Sequence, residues 1–438
     1  MTRREFTTTL ALATASAPLT TFAASRSRRP KVALLATEVK RYSHAQHFVD
    51  RLLEGYGWRG AHHRPPLELA GFYVDQFPDN DLARERAQRH NLKIYPTIAE
   101  ALTLGTSKLA VDGVLIIGEH GDYPKNEKGQ RLYPRYKWFK EIVEVFERTG
   151  RSVPVFNDKH LSTDWPEAVE MVEESRRLGF AFLAGSSLPV TWRIPSLELP
   201  INCALEESVC ACYGGIDSYD FHGLETAQCM SERRAGGEAG VKSIHAVQGD
   251  IVWEMLKDRP QTRDLLLAAL SRSHTLSAPE GYTFAVPSFE PLRVASPNTT
   301  AYFIEHLDGF RTSMFLLNGN TASVAGLDQK SRDALWLGRS VRDFTYAGRL
   351  KNGKVESCKF HLPMPPWYAT LADFFNPLMN HIETTVIERK APYPVERTLL
   401  TTGMTTFAVE SLFQKQPLAT PELKVPYRAP SESNFWRA

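Results

Sequence analysis

The sequence predicts an α/β protein, with a doubly wound parallel sheet first and an α+β region on an open, mostly antiparallel sheet after it. Three observations predict this fold class. Short apolar runs alternate with helical patterns from residue 31 to about residue 187. Longer runs of strand character follow near residues 300–317. The 438 residues exceed the roughly 100–200 residues of one typical domain, so two regions of different architecture are expected.

The strands of the first region are predicted from continuous apolar runs. These runs lie at residues 32–35, 69–74, 93–95, 113–117, 153–156 and 180–183. A strand that is apolar throughout is buried on both faces, as in a parallel sheet covered by helices. Between the runs stand helix signals, such as Pro166 near the start of one helix and Gly179 after its end. Six strands separated by helices indicate a doubly wound sheet.

The second region is predicted to contain an antiparallel hairpin and two covering helices. Residues 300–305 and 312–317 have strand character, and Asp308-Gly309 between them is a strong turn signal. Helical patterns at residues 368–388 and 395–413 would cover one face of this sheet.

The N-terminus has the pattern of an export signal. Arg3 and Arg4 precede a weakly apolar stretch at residues 10–15, and small residues lead to a plausible cleavage zone at Ala24. This is the arrangement of a bacterial twin-arginine signal. We therefore expect a signal peptide at residues 1–24, a linker at residues 25–30, and a mature protein in the periplasm or outside the cell.

Composition gives no signal for several classes of partner. Lys plus Arg is 52 and Asp plus Glu is 50, which leaves a formal charge of +2. A nearly neutral chain gives no reason to expect nucleic acid or an anionic membrane as partner. No apolar run reaches the roughly 18–20 residues that a membrane-spanning helix needs. The five cysteines have no regular spacing, and Cys210 and Cys212 are expected to share one buried strand face.

Four segments of the chain carry a resemblance to a known family. They are residues 95–102, residues 112–117, residues 157–161, and residues 391–394 with residues 408–411. They resemble the Gfo/Idh/MocA family, named for glucose-fructose oxidoreductase and inositol dehydrogenase, over residues 31 to about 420. The resemblance implies a Rossmann-like domain at residues 31–190 and a C-terminal α+β domain at residues 191–438. It also implies a sugar or cyclitol substrate, oxidation or reduction with NAD(P), and a homo-oligomer formed through the C-terminal sheet.

The first turn departs from the family pattern. The family has three glycines there, which let the backbone approach a diphosphate, whereas residues 36–41 contain none. By the resemblance, Thr37, Asp75 and Glu119 would contact the nucleotide, with Asp75 at the ribose hydroxyls. We therefore predict weak or absent exchange of free NAD(P), with any nucleotide held from folding onward.

The resemblance also implies the catalytic residues. Asp158, Lys159 and His160 stand where the family has its catalytic lysine, and His222 with Glu225 resembles its His and the following acid. Lys159 would hydrogen-bond the reacting hydroxyl, and His222 would take its proton. The remaining histidines have no predicted role. Among these, the pair His44 and His47 is expected on the surface, with a place in the crevice as the alternative.

A divalent metal is the other cofactor that the residues suggest. The fourth strand ends in Glu119, His120 and Asp122, and the ends of the first, fourth and fifth strands share one crevice in a doubly wound sheet. Imidazole and carboxylate are ordinary ligands of Zn, Mn or Fe. Glu119, His120, Asp122 and His222 are therefore a possible ligand set, with His160 also in reach.

Three functions remain open from the sequence. The first is an exported sugar or cyclitol oxidoreductase, and the second is a nucleotide-independent, metal-assisted carbohydrate hydrolase or lyase on the same fold. The third is a non-catalytic protein that binds sugars by stacking. The aromatic residues expected near the crevice for that purpose are Tyr123, Tyr133, Tyr136, Trp138 and Trp192.

Overall fold

The computed structural model describes residues 28–276, 288–318, 341–366, 369, 371–432 and 434–435. The predicted export signal lies outside these residues. The strands are β1 (Lys31–Ala36), β2 (Tyr56–Trp58), β3 (Ala61–His63), β4 (Glu68–Val74), β5 (Ile94–Tyr95), β6 (Gly113–Ile117), β7 (Val155–Asp158), β8 (Phe182–Gly185), β9 (Arg193–Ile194), β10 (Leu205–Cys212), β11 (Val241–Gln248), β12 (Thr300–His306), β13 (Arg311–Leu316), β14 (Phe344–Leu350), β15 (Val355–Phe360) and β16 (Leu418–Ala419). The α-helices are α1 (His44–Glu54), α2 (Ala83–His90), α3 (Ile98–Thr103), α4 (Arg135–Thr149), α5 (Trp165–Arg177), α6 (Tyr219–Ser231), α7 (Asp250–Lys257), α8 (Pro260–Leu270), α9 (Phe289–Ala295), α10 (Asn376–Glu388) and α11 (Glu396–Gln414).

The first sheet has the predicted doubly wound form. Its six strands run in the order β5-β4-β1-β6-β7-β8, and every pair is parallel. The chain reverses its direction of travel across the sheet between β1 and β6, so the carboxyl ends of these two strands open on a crevice. Both faces are covered by helices, which explains why the strands are apolar throughout.

The second sheet is mostly antiparallel, as predicted. Its eight strands run in the order β16-β11-β12-β13-β10-β14-β15-β9, and only the β10–β13 pair is parallel. Asp308-Gly309 forms the predicted hairpin turn between β12 and β13, where the His306 N–H donates to the Phe310 carbonyl at 2.9 Å. The predicted fold class, a Rossmann-like sheet followed by an α+β region, is confirmed.

The two C-terminal helices pack on different sheets. Helix α11 packs against β11, α5 and α6, as expected for a helix that covers the antiparallel sheet. Helix α10 instead places Met379, Ile382 and Val386 in the core on one face of the first sheet. The prediction that both helices cover the antiparallel sheet is therefore wrong for α10. An apolar helix face shows that it is buried but not which sheet buries it.

Helices also cover part of the second sheet's other face. Trp253 of α7, Leu266 of α8 and Leu292 of α9 form a core with alternate residues of β10, β12 and β13. Helices α7, α8 and α9 therefore cover part of this face. Pairing of subunits through the sheet stays a prediction. Among the described residues, no helix is both long and apolar enough to span a membrane.

Candidate active site

A cavity of about 140 Å³ lies where the crevice of the first sheet meets α6. Strands β6 and β7 of the first sheet end at this crevice, and α6 comes from the second region of the chain. The residues that line the cavity are Tyr42, His44, His47, Glu119, His120, Lys159, Ser187, Leu188, Ser218, Tyr219, His222, Leu362, Met364, Phe374 and Phe375. The cavity therefore brings together Glu119, His120, Lys159 and His222 from the sequence-predicted set.

Lys159 and Glu119 form a buried ion pair in the cavity wall. The Lys159 Nζ donates to Glu119 Oε1 at 2.7 Å, and Arg135 Nη2 donates to Glu119 Oε2 at 3.1 Å. A Cβ atom at Gly118 would lie 2.6 Å from Arg135 Cγ, so glycine is needed for Arg135 to reach this carboxylate. Burial opposes the charges on both partners. Their mutual attraction outweighs it, holding the pKa of Glu119 well below its usual range and raising the pKa of Lys159.

Backbone geometry at the site is unusual at two positions. Lys159 and His120 have φ angles of +64° and +70°, in the left-handed region that residues with a Cβ atom rarely adopt. Such conformations cost free energy and often occur at functional sites.

Burial lowers the pKa of His120 to about 4 despite the opposing charge of Glu119, so its imidazole is neutral near pH 7. Among the described residues, no group hydrogen-bonds His120 Nε2.

His222 is the end of a short hydrogen-bonded chain. Its Nδ1 lies 3.0 Å from Ser186 Oγ, and Ser186 donates from Oγ and from its backbone N–H to Glu225. Burial raises the pKa of Glu225 to about 7, although the bonds from Ser186 oppose this. Burial, with Lys159 next in effect, lowers the pKa of His222 well below its usual range. His222 therefore faces the cavity as a neutral imidazole that a hydroxyl group orients.

The two residues beside Lys159 lie in different surroundings. Asp158 is fully buried, and its Oδ2 lies 2.7 Å from His44 Nδ1. His160 is buried behind the cavity wall, with Arg135 Nη1 3.2 Å from its ring nitrogens and Asp217 Oδ1 3.7 Å from Nε2. Burial, then the Arg135 charge, lowers the pKa of His160 well below its usual range. Asp158 thus contacts His44, which lines the cavity, whereas neither Asp158 nor His160 lines the cavity itself.

The residues predicted to contact a nucleotide form hydrogen bonds within the protein. Thr37 Oγ1 donates to the Glu119 carbonyl at 2.6 Å. The carboxylate of Asp75 accepts from the hydroxyls of Tyr73 and Tyr123 at 2.8 and 2.6 Å. The Gln76 side chain donates to and accepts from the Asp122 backbone at 3.0 and 2.8 Å. The bonds of Asp75 to Tyr123 and of Gln76 to Asp122 join the segment after β4 to the segment after β6, across the crevice edge.

The first turn gives no cradle for a dinucleotide. Its residues carry side chains where a diphosphate would need bare backbone, and the Val39 side chain is fully buried. Glu38 is a buried carboxylate paired with Lys40, and it would repel a phosphate group. With the crevice edge also bridged, a dinucleotide could bind here only after these contacts rearrange.

The predicted metal-ligand set is not assembled. The Asp122 carboxylate is fully exposed and lies 3.8 Å from Arg131, while each oxygen of Glu119 is already paired with a cationic side chain. Within the described residues, no three His, Cys, Asp or Glu side chains form a group that could hold a metal ion. The described residues therefore give no support for a metal at Glu119, His120, Asp122 and His222.

Sequence reasoning missed most of the aromatic and histidine wall. Tyr42, Tyr219 and Phe375 line the cavity, and His44 and His47 lie there rather than on the surface. The signal for the two histidines was their place at the start of the helix after the first strand. The aromatic residues predicted for sugar stacking lie elsewhere: none of the five lines the cavity, and Trp138 is in the core.

Comparison with solved structures gives the same fold. The structure of GenD2 from gentamicin A biosynthesis, a complex with NAD, matches with a TM-score of 0.52 and 11% identity, over 90% of this chain and 96% of that one. A myo-inositol dehydrogenase from Lactobacillus casei, in complex with NAD(H) and myo-inositol, matches with a TM-score of 0.52 and 11% identity, over 89% and 96%. A probable dehydrogenase from Thermotoga maritima also has a TM-score of 0.52 and 11% identity, over 90% and 99%.

No protein-family model and no curated protein sequence matches the chain. At 11% identity, the three structures speak for the fold alone. That fold extends over about nine-tenths of this chain and nearly all of each matched chain. The resemblance drawn from the sequence is thus confirmed at the level of architecture: the chain has the two-part fold of these three solved structures.

Proposed function

We propose that this chain is an exported carbohydrate-active enzyme that acts on a hydroxyl-bearing carbon of a sugar or cyclitol, in the oxidoreductase class that its fold favours. The observation that carries the proposal is the buried Lys159 ammonium at the wall of a cavity that also holds neutral imidazoles. An ammonium beside a substrate hydroxyl favours the alkoxide, and a neutral imidazole accepts the proton.

Cavity size and lining support a small polyhydroxylated substrate. A volume of about 140 Å³ is well below the roughly 300–1,000 Å³ of sites for drug-sized ligands. Tyr219 and Phe375 offer aromatic surface to a sugar ring, and Ser187 and Ser218 offer hydroxyl groups. A ring with several hydroxyls matches this mixture of apolar and hydrogen-bonding walls.

A second candidate function is nucleotide-independent proton transfer on the same class of substrate, as in a carbohydrate lyase. The observation that favours it is the bridged crevice edge, where Asp75 and Gln76 bond to the segment after β6. A proton-transfer reaction needs no hydride acceptor and therefore no open dinucleotide site. Lys159 and the imidazoles would have the same acid–base roles in it.

One experiment separates the candidates. The protein would be purified from a host with working twin-arginine export, analysed by mass spectrometry for bound nucleotide, and incubated in D₂O with a panel of sugars and cyclitols. Stoichiometric nucleotide with a carbonyl product supports the oxidoreductase. Deuterium incorporation or elimination without nucleotide supports proton transfer. If Lys159→Met forms the products as fast as the wild type, both candidates are contradicted. If panel sugars bind but no product forms, both candidates are also contradicted, and a sugar-binding protein is favoured.

A further inference from the structure

The cavity wall contains His44, to which neither the sequence patterns nor the fold gives a catalytic role. His44 is the first residue of α1, which Ser43 caps by accepting the Gln46 N–H at 3.2 Å. Its ring lies in the cavity wall, 5.9 Å from the ring of His120 and 5.1 Å from that of Phe375. The His44 side chain is 18% exposed, so it is accessible from the cavity while packing holds its ring in place.

A buried carboxylate orients this ring. Asp158 ends β7 and is fully buried, and its Oδ2 lies 2.7 Å from His44 Nδ1. A carboxylate at this distance accepts a hydrogen bond, which places the ring proton on Nδ1 and leaves the lone pair on Nε2. The arrangement is the imidazole–carboxylate half of a catalytic triad, in which the carboxylate fixes the tautomer and stabilises the imidazolium.

The other histidines of the cavity lack this support. His120 Nε2 has no hydrogen-bond partner among the described residues. His222 Nδ1 meets the Ser186 hydroxyl, and the Glu225 carboxylate stands farther off at 3.5 Å. Because burial raises the pKa of Glu225 to about 7, that carboxyl is only partly ionised near neutral pH. His47 stacks on Phe375, and burial lowers its pKa to about 2.

We propose that His44, oriented by Asp158, is the general base of this site. The inference rests on the proposed function and adds the residue that receives the proton. The O–H bond of a substrate hydroxyl breaks, a new N–H bond forms at His44 Nε2, and the electron pair stays on the substrate oxygen. Lys159 stabilises that oxygen, and the Asp158 carboxylate balances the new imidazolium charge. His44 returns the proton when the reaction runs in the other direction. Asp158 acts through His44 and is a positioning residue.

The first test needs no substrate. Nitrogen-15 NMR of protein labelled at histidine reports which ring nitrogen of His44 carries the proton, with His44→Gln used to assign the signal. We expect a proton on Nδ1 and a bare Nε2 in the wild type, and a changed tautomer population in Asp158→Asn. A wild-type signal from the opposite tautomer, or one unchanged in Asp158→Asn, would overturn the dyad.

The second test measures the reactivity of the same nitrogen. Diethyl pyrocarbonate modifies bare imidazole nitrogens, and peptide mass spectrometry locates the product. We expect His44 to react faster in the wild type than in Asp158→Asn, with the exposed His62 as internal reference. Equal His44 rates in the two proteins would contradict a carboxylate-activated imidazole. Both tests hold even if no carbohydrate is turned over, which would contradict the proposed function alone.

The third test uses turnover on the substrate found by the panel. General acid–base groups contribute about 10²- to 10⁴-fold in rate, so His44→Gln is expected to lower kcat by that factor with little change in KM. Asp158→Asn is expected to lower kcat in the same direction. The control His62→Gln should keep wild-type turnover, since the His62 side chain bonds the Glu54 carbonyl and does not line the cavity. A kcat for His44→Gln within a few-fold of wild type would overturn the assignment.

Discussion

Lys159 and Glu119 form an ion pair in the protein interior, so replacing either residue is expected to destabilise the fold. Both side chains are almost fully buried. Removing one member of a buried ion pair costs about 3–5 kcal/mol, because the other charge stays without its partner. Since Arg135 still contacts Glu119, we expect the Lys159→Met cost near the lower end of that range, with turnover lost as well.

The double variant Lys159→Met/Glu119→Gln tests this explanation by thermal melts. It removes both charges of the pair but leaves Arg135 without its carboxylate. Its melting temperature should therefore lie above that of Glu119→Gln, which leaves two buried cations, while turnover stays lost. Glu119→Gln alone is the matched single variant. If Lys159→Met melts like the wild type, the pair contributes nothing to the fold.

Glu225 is expected to make the stability of the folded protein depend on pH. Its pKa is raised from 4.5 to about 7, so the folded protein binds a proton that the unfolded chain releases between these values. This contribution to stability is fully present below about pH 4.5 and is lost as pH rises to about 7. At roughly 1.4 kcal/mol per unit, the change is on the order of 3 kcal/mol.

Glu225→Gln removes this titration. We therefore expect the melting temperature of the wild type to fall relative to that of the variant between pH 4.5 and 7, and to run parallel above pH 7. Asp217 also has a pKa raised to about 7, but it is present in both proteins and cancels in the difference. Parallel curves throughout the range would show that Glu225 is ionised in the fold.

At the scale of elements, the sequence predicted strands better than contacts. The six strands of the first sheet follow from runs that are apolar on both faces, and the crevice follows from their order. That order brought Glu119, His120 and Lys159 together correctly. It could not show that Asp122 turns outward or that His44 turns inward, because loop direction and helix rotation depend on packing partners distant in the chain. The sheet that buries α10 was missed for the same reason.

The packing of α10 on the first sheet is testable at one contact. A Cβ atom at Gly113 of β6 would lie 2.7 Å from Val386 Cγ2, so Gly113→Ala overfills this contact and should cost about 1–3 kcal/mol. Val386→Ala leaves a small void and should cost about 1–2 kcal/mol, given roughly 0.8 kcal/mol per buried methylene plus a cavity term. The double variant, measured by chemical unfolding, should be more stable than the two single costs predict. Simple additivity would mean that α10 does not pack here.

The turn between β1 and α1 carries a prediction about nucleotides. Buried Val39 and Glu38 occupy the turn, and Tyr123 holds the Asp75 carboxylate. We expect calorimetric titration with NAD⁺ or NADP⁺ to show no binding at micromolar concentrations, because these contacts would have to break first. Asp75→Ala is the control. Micromolar binding that this variant abolishes would show that the turn opens and that Asp75 holds the ribose, as in the family resemblance.

At the scale of the whole molecule, one core connects the two regions of the chain. Residues of β1 and β6 belong to the same cluster as residues of β10, β12 and α11. Cys203, Cys210, Cys212, Cys229 and Cys358 are all buried free thiols. Buried free thiols stay reduced in a reducing compartment, which agrees with the predicted route, one that transports folded proteins.

Export itself is the prediction at this scale. Arg3 and Arg4 begin the twin-arginine pattern, which a dedicated receptor recognises, so Lys at both positions keeps the charge but removes the recognised pair. We expect the double variant to stay in the cytoplasm as a full-length, folded precursor, whereas the wild type reaches the periplasm cut near Ala24. Fractionation with N-terminal mass spectrometry measures both outcomes. The single variants Arg3→Lys and Arg4→Lys are the matched controls and should be exported at intermediate levels. Unchanged export of the double variant would place this protein on a different route, one that need not transport it folded.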